Sequence, residues 1–304
     1  RMPEINMRQA MVPVGASIIE QRRGTAPGLI CPVGDKVIYA VPGVPYELYE
    51  MFERGILPDL LQRSGSASVI SSRTLRTWGE TESGLNERLF DVIDDLEKVG
   101  NPTLAFLASG WEGIKVRLTA KATTASEVNS LLDEWDAKVR HAVGDIVFGL
   151  DSDTMESVVL QMMRERGLTL GVAESVTGGL VSGRLTNIAG SSDVLRGAVV
   201  SYASEVKFDV LGVTNGPVVS ESAAIEMAVG AQRVLGSSIG LALTGVAGPA
   251  GQEGMKPGTL CVGLAMPDGT TQSAMVQLPG NRDTMRQLSV ISALDLLRRA
   301  LRTM

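Results

Sequence analysis

The chain has 304 residues, 44% hydrophobic and 20% charged, which is typical of a globular protein with two or three domains. Its net charge of −6 disfavours nucleic acid binding, which needs a basic surface to meet phosphates. The absence of any apolar run of about 18 residues argues against a membrane-spanning helix. We expect no secretory leader. Because Cys31 and Cys261 are far apart, we expect neither disulfides nor a zinc site. The expected location is therefore the reducing cytoplasm.

Residues 1–68 have the pattern of two strands followed by a helix. A turn at 31–36 precedes an apolar strand at 37–41, and a proline-bounded turn leads into a helix from Tyr46. Serines concentrated between 64 and 72 mark the end of this first predicted domain.

Residues 69–150 form a second predicted domain of the α+β class. Strands are expected at 74–78, 103–108 and 113–120, and helices over 79–96 and 125–143. Between 70 and 148 the chain has 9 Lys and Arg against 13 Asp and Glu, so this module is not expected to bind nucleic acid.

In residues 151–304 strands alternate with helices, which predicts a three-layer α/β sandwich. The predicted strands lie at 169–173, 198–202, 240–244, 259–265 and 275–278. The predicted helices lie at 155–166, 178–190, 205–211, 220–235 and 281–302.

The only histidine, His141, lies near the end of a charged amphipathic helix and is predicted to be a surface residue. A hydrolase built on this chain would therefore work without histidine.

Ser175 follows a predicted strand and precedes Thr177, Gly178 and Gly179 at a helix start. The carboxyl end of a strand is where open α/β sheets bind ligands, and helix N-terminal N–H groups stabilise anions. Ser175 could thus be a nucleophile with these three residues at the substrate. The alternative is a helix cap whose glycines permit close packing.

A serine nucleophile needs a base, which Lys207 or Tyr202 could supply after the next strand. A lysine in a desolvated cleft has a lowered pKa and can accept a proton. The alternatives are a solvated helix lysine and a half-buried strand tyrosine.

Two further segments could bind a phosphate. Thr244, Gly245 and Gly248 belong to a glycine-rich loop at a strand end, which could otherwise be a long connection. Arg282 and Arg286 are four residues apart on the last helix and could hold a phosphate or be surface charges.

Five motifs in order resemble the C-terminal domain of the CinA family of competence/damage-inducible proteins, which also occurs alone as PncC, the nicotinamide mononucleotide amidohydrolase. They are AESVTGG, SSDVLRGAVVSYASEVKFDVLGV, TGVAGPAG, KPGTLCVGLA and GNRDTMR. The resemblance implies a Ser-Tyr-Lys group, here Ser175, Tyr202 and Lys207, and a substrate-binding arginine, either Arg282 or Arg286. Where the family commonly has cysteine and asparagine, this chain has Val176 and Ser204.

Upstream, NMRQAMVPVGA, RRGTAPG and VPGVPYEL resemble the second half of the family's MoaB/MogA-like, molybdopterin-binding-type domain, and residues 69–150 its KH-like module. Nothing resembles the GGLGPTxDD-type loop of the ADP-ribose pyrophosphatase activity, which would use a divalent metal. We expect that activity to be absent or weak.

The resemblance implies hydrolysis of nicotinamide mononucleotide to nicotinic acid mononucleotide and ammonia, without metal or organic cofactor, by a homodimer. The backbone N–H groups around Thr177–Gly179 would supply oxyanion donors. The alternatives are an ADP-ribose pyrophosphatase and a non-enzymatic protein of DNA uptake or repair. We also expect residues 151–304 to work alone, since a cut near 150–154 should expose little core.

Overall fold

A computed structural model describes residues 11–22, 24, 26–65, 68–108 and 110–304. The chain divides into two compact units between Ser68 and Val69. Residues 6–10 of the first upstream motif, residues 23 and 25 of the second, and serine 66 of the predicted boundary lie outside the described residues.

The first unit contains a three-stranded antiparallel sheet and a helical segment. Its strands are β1 (Ser17–Ile19), β2 (Gly28–Val33) and β3 (Lys36–Ala40), in that order. Helices α1 (Pro45–Met51) and α2 (Leu57–Ser64) flank a π-helical turn at Phe52–Ile56. Ile19, Met51 and Ile56 form its small core.

The second unit begins with an antiparallel sheet in the order β5-β6-β4-β7. Its strands are β4 (Val69–Thr77), β5 (Thr103–Ala108), β6 (Ile114–Ala122) and β7 (Val147–Leu150), with helices α3 (Glu82–Arg88), α4 (Phe90–Val99) and α5 (Ala125–Val143). Thr124 and Glu127 form a capping box that starts α5. The strand β7 was not predicted, and the helix predicted over 79–96 is two helices.

The rest of the second unit is a mixed five-stranded sheet in the order β12-β11-β10-β8-β9. The strands are β8 (Leu170–Glu174), β9 (Leu195–Val200), β10 (Ile239–Gly245), β11 (Thr259–Ala265) and β12 (Thr271–Gln277). The helices are α6 (Met155–Glu165), α7 (Leu180–Thr186), α8 (Ser204–Val206), α9 (Glu221–Leu235) and α10 (Arg282–Arg302), with a π-helical turn at Lys207–Leu211. The predicted α/β class is confirmed.

Side chains alternate between the two faces of this sheet. Val172 and Leu241 belong to the core that contains residues of α6, α7 and α10. Ala173 and Ala242 belong to the core on the α9 side. The sheet is therefore the middle layer of three, as the alternation of side chains along strands requires.

The α+β part and the α/β part of the second unit share core and polar contacts. Phe148, which is 8% exposed, packs in the core of the α/β part, and Trp78 packs against the same core. The buried guanidinium of Arg298 donates to the Asp145 carbonyl oxygen at 2.9 Å. A cut near 150–154 would therefore remove Phe148 and Trp78 from this core and the Asp145 carbonyl oxygen from Arg298.

Among the described residues, no helix combines the length and the apolar composition that crossing a membrane requires.

Candidate active site

Ser175 occupies the carboxyl end of the central parallel strand. Its N–H donates to the Leu243 carbonyl oxygen at 3.0 Å, which extends the β8–β10 ladder by one residue. Glu174 pairs with Val200 on one side and Leu243 on the other. The next residues, Ser201, Ser175 and Thr244, therefore lie in a row. By alternation from Ala173 they face the α9 side of the sheet.

Glu174, which sequence inspection did not single out, holds the turn after Ser175. Its buried carboxylate accepts hydrogen bonds from the N–H groups of Gly179 and Val181 at 2.9 and 3.0 Å. It also accepts bonds from the N–H and the hydroxyl of Ser182 at 2.9 and 2.8 Å. A carboxylate at this position satisfies the free donors of α7 and complements the helix dipole.

The glycines were predicted to supply oxyanion donors, and the structure corrects this. The Gly178 N–H donates to the Ser175 carbonyl oxygen at 3.1 Å, and the Gly179 N–H is bound by Glu174. Gly178 and Gly179 have φ of +60° and +94°, so they form the turn, and α7 begins only at Leu180. Within the described chain, the N–H groups of Val176 and Thr177 have no hydrogen-bond partner and remain as donors.

Lys207 is buried behind the row of hydroxyl residues. It is 1% exposed, and its Nζ donates to the Ser201 carbonyl oxygen at 2.7 Å. No carboxylate among the described residues forms an ion pair with it. Burial lowers the pKa of Lys207 below its usual range, although the charges of Glu253 and Glu205 oppose the shift. The solvated-lysine alternative is excluded by this burial.

Tyr202 lies at the rim of the site and is 61% exposed. The strand that it was expected to close ends two residues earlier, at Val200. Its hydroxyl accepts a hydrogen bond from Arg282 Nη2 at 2.7 Å, and Arg282 Nη1 donates to the Gly248 carbonyl oxygen at 3.0 Å. Arg282 thus joins the tyrosine to the glycine-rich loop.

Arg286 has a different position from Arg282. Its Nε and Nη2 donate to the carbonyl oxygens of Val176 and Thr177 at 3.2 and 2.6 Å. It therefore supports the turn after Ser175 from behind, and only Arg282 of the two lines the cavity described next.

Ser175, Tyr202, Lys207 and Arg282 line one cavity of 390 Å³. The glycine-rich loop completes its wall, but the Thr244 hydroxyl donates to the Val218 carbonyl oxygen at 2.7 Å, inside the protein. Thr244 is therefore a support of the loop. A Cβ on Gly245 would lie 2.4 Å from the Thr259 carbonyl oxygen, so this position requires glycine. The hydroxyl of Ser175 forms no hydrogen bond with Tyr202 or Lys207 in the part of the chain that the structure describes.

Two family models match the second unit. Residues 72–149 match the damage-inducible protein CinA KH domain, and residues 152–301 match the CinA C-terminal domain. A CinA-like protein of Frankia casuarinae is 47% identical over 99% of this chain and 70% of its own length. The chain belongs to the CinA family. The CinA-like protein of Dictyoglomus thermophilum is 37% identical over 99% of this chain and 73% of its own length.

Solved structures of CinA proteins are similar to about half of the chain. The CinA superfamily protein of Klebsiella pneumoniae is 28% identical, with a TM-score of 0.48 over 49% of this chain and 97% of its own. The competence/damage inducible protein CihA of Agrobacterium tumefaciens is 32% identical, with a TM-score of 0.46 over 49% of this chain and 93% of its own.

Proposed function

We propose that this CinA-family chain hydrolyses the carboxamide of nicotinamide mononucleotide. Lys207 accepts the Ser175 hydroxyl proton while Oγ attacks the carboxamide carbon. The tetrahedral intermediate collapses with cleavage of the C–N bond, and the leaving nitrogen departs as ammonia after taking up the proton. Water then hydrolyses the Ser175 ester and releases nicotinic acid mononucleotide.

The observation that carries this proposal is the burial of Lys207 in the wall of the cavity that Ser175 also lines. A lysine in water is protonated at neutral pH and cannot act as a base, whereas burial favours its neutral amine. The bond from Nζ to the Ser201 carbonyl oxygen fixes the amine next to the residue that neighbours Ser175 in the sheet. The proposed nucleophile and base therefore need no histidine.

Two N–H groups are available for the developing oxyanion. Those of Val176 and Thr177 follow directly after the nucleophile, and Arg286 holds both peptide units through their carbonyl oxygens. Donors fixed before the reaction stabilise negative charge without reorganisation, and removing one such donor typically lowers kcat by about 10²–10³.

The rim of the cavity suits a nucleotide monophosphate. Arg282 presents a guanidinium beside the glycine-rich loop, and guanidinium groups bind phosphate through two parallel hydrogen bonds. The 390 Å³ cavity falls in the range of about 300–1,000 Å³ for small-molecule sites. We place the phosphate at Arg282 and the carboxamide at Ser175, with Tyr202 between them.

The test is ammonia release from nicotinamide mononucleotide by the full chain. Ser175→Ala should lower turnover by about 10³ or more, since covalent catalysis is lost. Ser204→Ala, which lines the same cavity, is the matched control and should keep most of the rate. A folded Ser175→Ala protein with a tenth of the wild-type rate would refute the assignment. The proposal also requires a rate that a chelator does not change.

A further inference from the structure

The hydroxyl of Ser201 is a buried polar group to which the proposed reaction assigns no role. Ser201 is 0% exposed, and its Oγ has no hydrogen-bond partner among the described residues. Its backbone, by contrast, is bonded on both sides. The N–H donates to the Glu174 carbonyl oxygen at 2.8 Å, and the carbonyl oxygen accepts from Lys207 Nζ at 2.7 Å. Because buried hydroxyls are nearly always paired, an unpaired one at this place requires an explanation.

Ser201 adjoins both the proposed nucleophile and the proposed base. Its bond to Glu174 continues the parallel β8–β9 ladder, so Ser201 is the neighbour of Ser175 across that ladder. Val199 and Ala173, which lie two residues earlier on the two strands, both pack on the α9 side of the sheet. Neighbouring strands are about 4.8 Å apart, and side chains two residues apart on a strand share a face. The hydroxyls of Ser175 and Ser201 therefore project side by side, on the face from which Lys207 binds the Ser201 carbonyl oxygen.

Direct transfer of a proton from Ser175 to Lys207 lacks a hydrogen bond. Within the described chain, the Ser175 hydroxyl forms none with Lys207, whose Nζ is bonded to the Ser201 carbonyl oxygen. A general base needs such a bond to the proton that it removes, either directly or through one bridging group. A hydroxyl can bridge, because it donates one hydrogen bond and accepts another, and rotation about χ1 gives the Ser201 Oγ three staggered positions.

We propose that the Ser201 hydroxyl relays the proton from Ser175 to Lys207, an inference that rests on the nucleophile and base of the proposed function. As Ser175 Oγ attacks, its proton passes to Ser201 Oγ, while Ser201 gives its own proton to the neutral Lys207 Nζ. The leaving nitrogen then takes up a proton from Lys207, which lines the cavity. Ser201 is a neutral hydroxyl before and after the step. It contacts no substrate, so its burial is compatible with this role.

The experiment measures two reactions of the full chain. One is ammonia release from nicotinamide mononucleotide, and the other is labelling of Ser175 by phenylmethanesulfonyl fluoride, followed by mass spectrometry. In the labelling, Ser175 Oγ bonds to sulfur, fluoride leaves, and the serine proton takes the same path to Lys207. Ser201→Ala keeps the carbonyl oxygen that binds Nζ and should lower kcat and the labelling rate about 10²-fold, with KM changed by less than about twofold. The melting temperature should not fall, because the hydroxyl removed has no partner.

A double variant separates a relay from a structural effect. Lys207→Met should slow labelling about as much as Ser201→Ala does. The two substitutions together should be no slower than Lys207→Met alone, because both interrupt one proton path. Ser289→Ala is the matched control, because it removes another fully buried hydroxyl, from α10 and outside the cavity, and it should change neither rate.

Three outcomes would overturn the relay. They are a Ser201→Ala labelling rate above about half of the wild-type rate, losses that add in full in the double variant, and a wild-type chain that is not labelled at Ser175. Ammonia release tests the proposed function separately. The expected labelling pattern without ammonia release would support the relay and refute the substrate. Ammonia release that Ser201→Ala leaves unchanged would support the substrate and refute the relay.

Discussion

The buried carboxylate of Glu174 accepts two hydrogen bonds from Ser182, one from its N–H at 2.9 Å and one from its hydroxyl at 2.8 Å. Further bonds from Gly179 and Val181 complete its surroundings. One side chain at the end of β8 thus determines where α7 starts, and Ser175 lies between the two. The position of Ser175 depends on this residue, although Glu174 does not line the Ser175 cavity.

Glu174→Ala should destabilise the protein by about 2–4 kcal/mol, because it leaves several buried N–H groups without an acceptor. Urea unfolding measures this loss. Glu165→Ala, which removes an exposed carboxylate from α6, is the control and should change the free energy of unfolding by less than about 0.5 kcal/mol. If Glu174→Ala lowered the free energy of unfolding no more than the control does, the turn after Ser175 would be stable without Glu174.

The sequence predicts regular elements well where pattern and caps agree. The strand at 103–108, the helix at 125–143 and the strand at 259–265 have the predicted bounds. Each strand is a short apolar run, the helix has an amphipathic face, and Thr124 and Glu127 cap the helix.

The parts of the fold and of the site that the sequence did not predict depend on contacts between residues distant in the chain, which no local pattern reveals. In the sequence, Glu174 is an ordinary acidic residue at a strand end. Its role depends on the fold, which brings N–H groups of α7 within hydrogen-bonding distance of its carboxylate. The sequence does not distinguish Arg282 from Arg286. Only the position of the turn after Ser175 makes Arg282 a cavity residue and Arg286 a support of that turn. The four-residue strand β7 is too short to recognise before its partner β4 is known.

The rate of ammonia release should rise with pH, with a midpoint below the usual lysine pKa of 10.5, because the proposed base is the neutral amine of Lys207. Lys207→Arg should lower the rate severely, since a guanidinium does not deprotonate. The profile of kcat/KM against pH is the measurement. A flat profile between about pH 6 and pH 10 would contradict the assignment.

Stability should change with pH through the same residue. Because the folded pKa of Lys207 is lowered, burying its charged form destabilises the protein below that pKa. The penalty should decrease as pH rises from the folded pKa towards 10.5, where the unfolded chain also loses its proton. The difference in free energy of unfolding between Lys207→Met and wild type should therefore move in favour of wild type as pH rises. An unchanged difference would mean that the lysine is neutral in both states or charged in both.

The two arginines of α10 should give different kinetic defects. Arg282→Ala should raise KM about tenfold or more with a smaller effect on kcat, because it removes the proposed phosphate contact. Arg286→Ala should mainly lower kcat, because it releases the carbonyl oxygens of Val176 and Thr177. Equal changes in KM and kcat for both variants would contradict this division. Arg233→Ala, on α9, is a control outside the cavity.

Residues 69–304 should form a stable and active fragment, and residues 151–304 should be less stable. The longer fragment keeps the compact unit that begins at Val69. A cut at 151 removes Phe148 from the core of the α/β part and takes from Arg298 the Asp145 carbonyl oxygen that its buried guanidinium binds. Loss of a buried aromatic side chain typically costs about 3–5 kcal/mol, and Arg298, which keeps its ion pair with Asp295, also loses one buried hydrogen bond. We expect fragment 151–304 to melt well below fragment 69–304 and to release ammonia more slowly at 37 °C, roughly in proportion to its unfolded fraction. Equal melting temperatures for the two fragments would mean that the contacts of Phe148 and Arg298 contribute nothing, and that the Ser175 site folds independently.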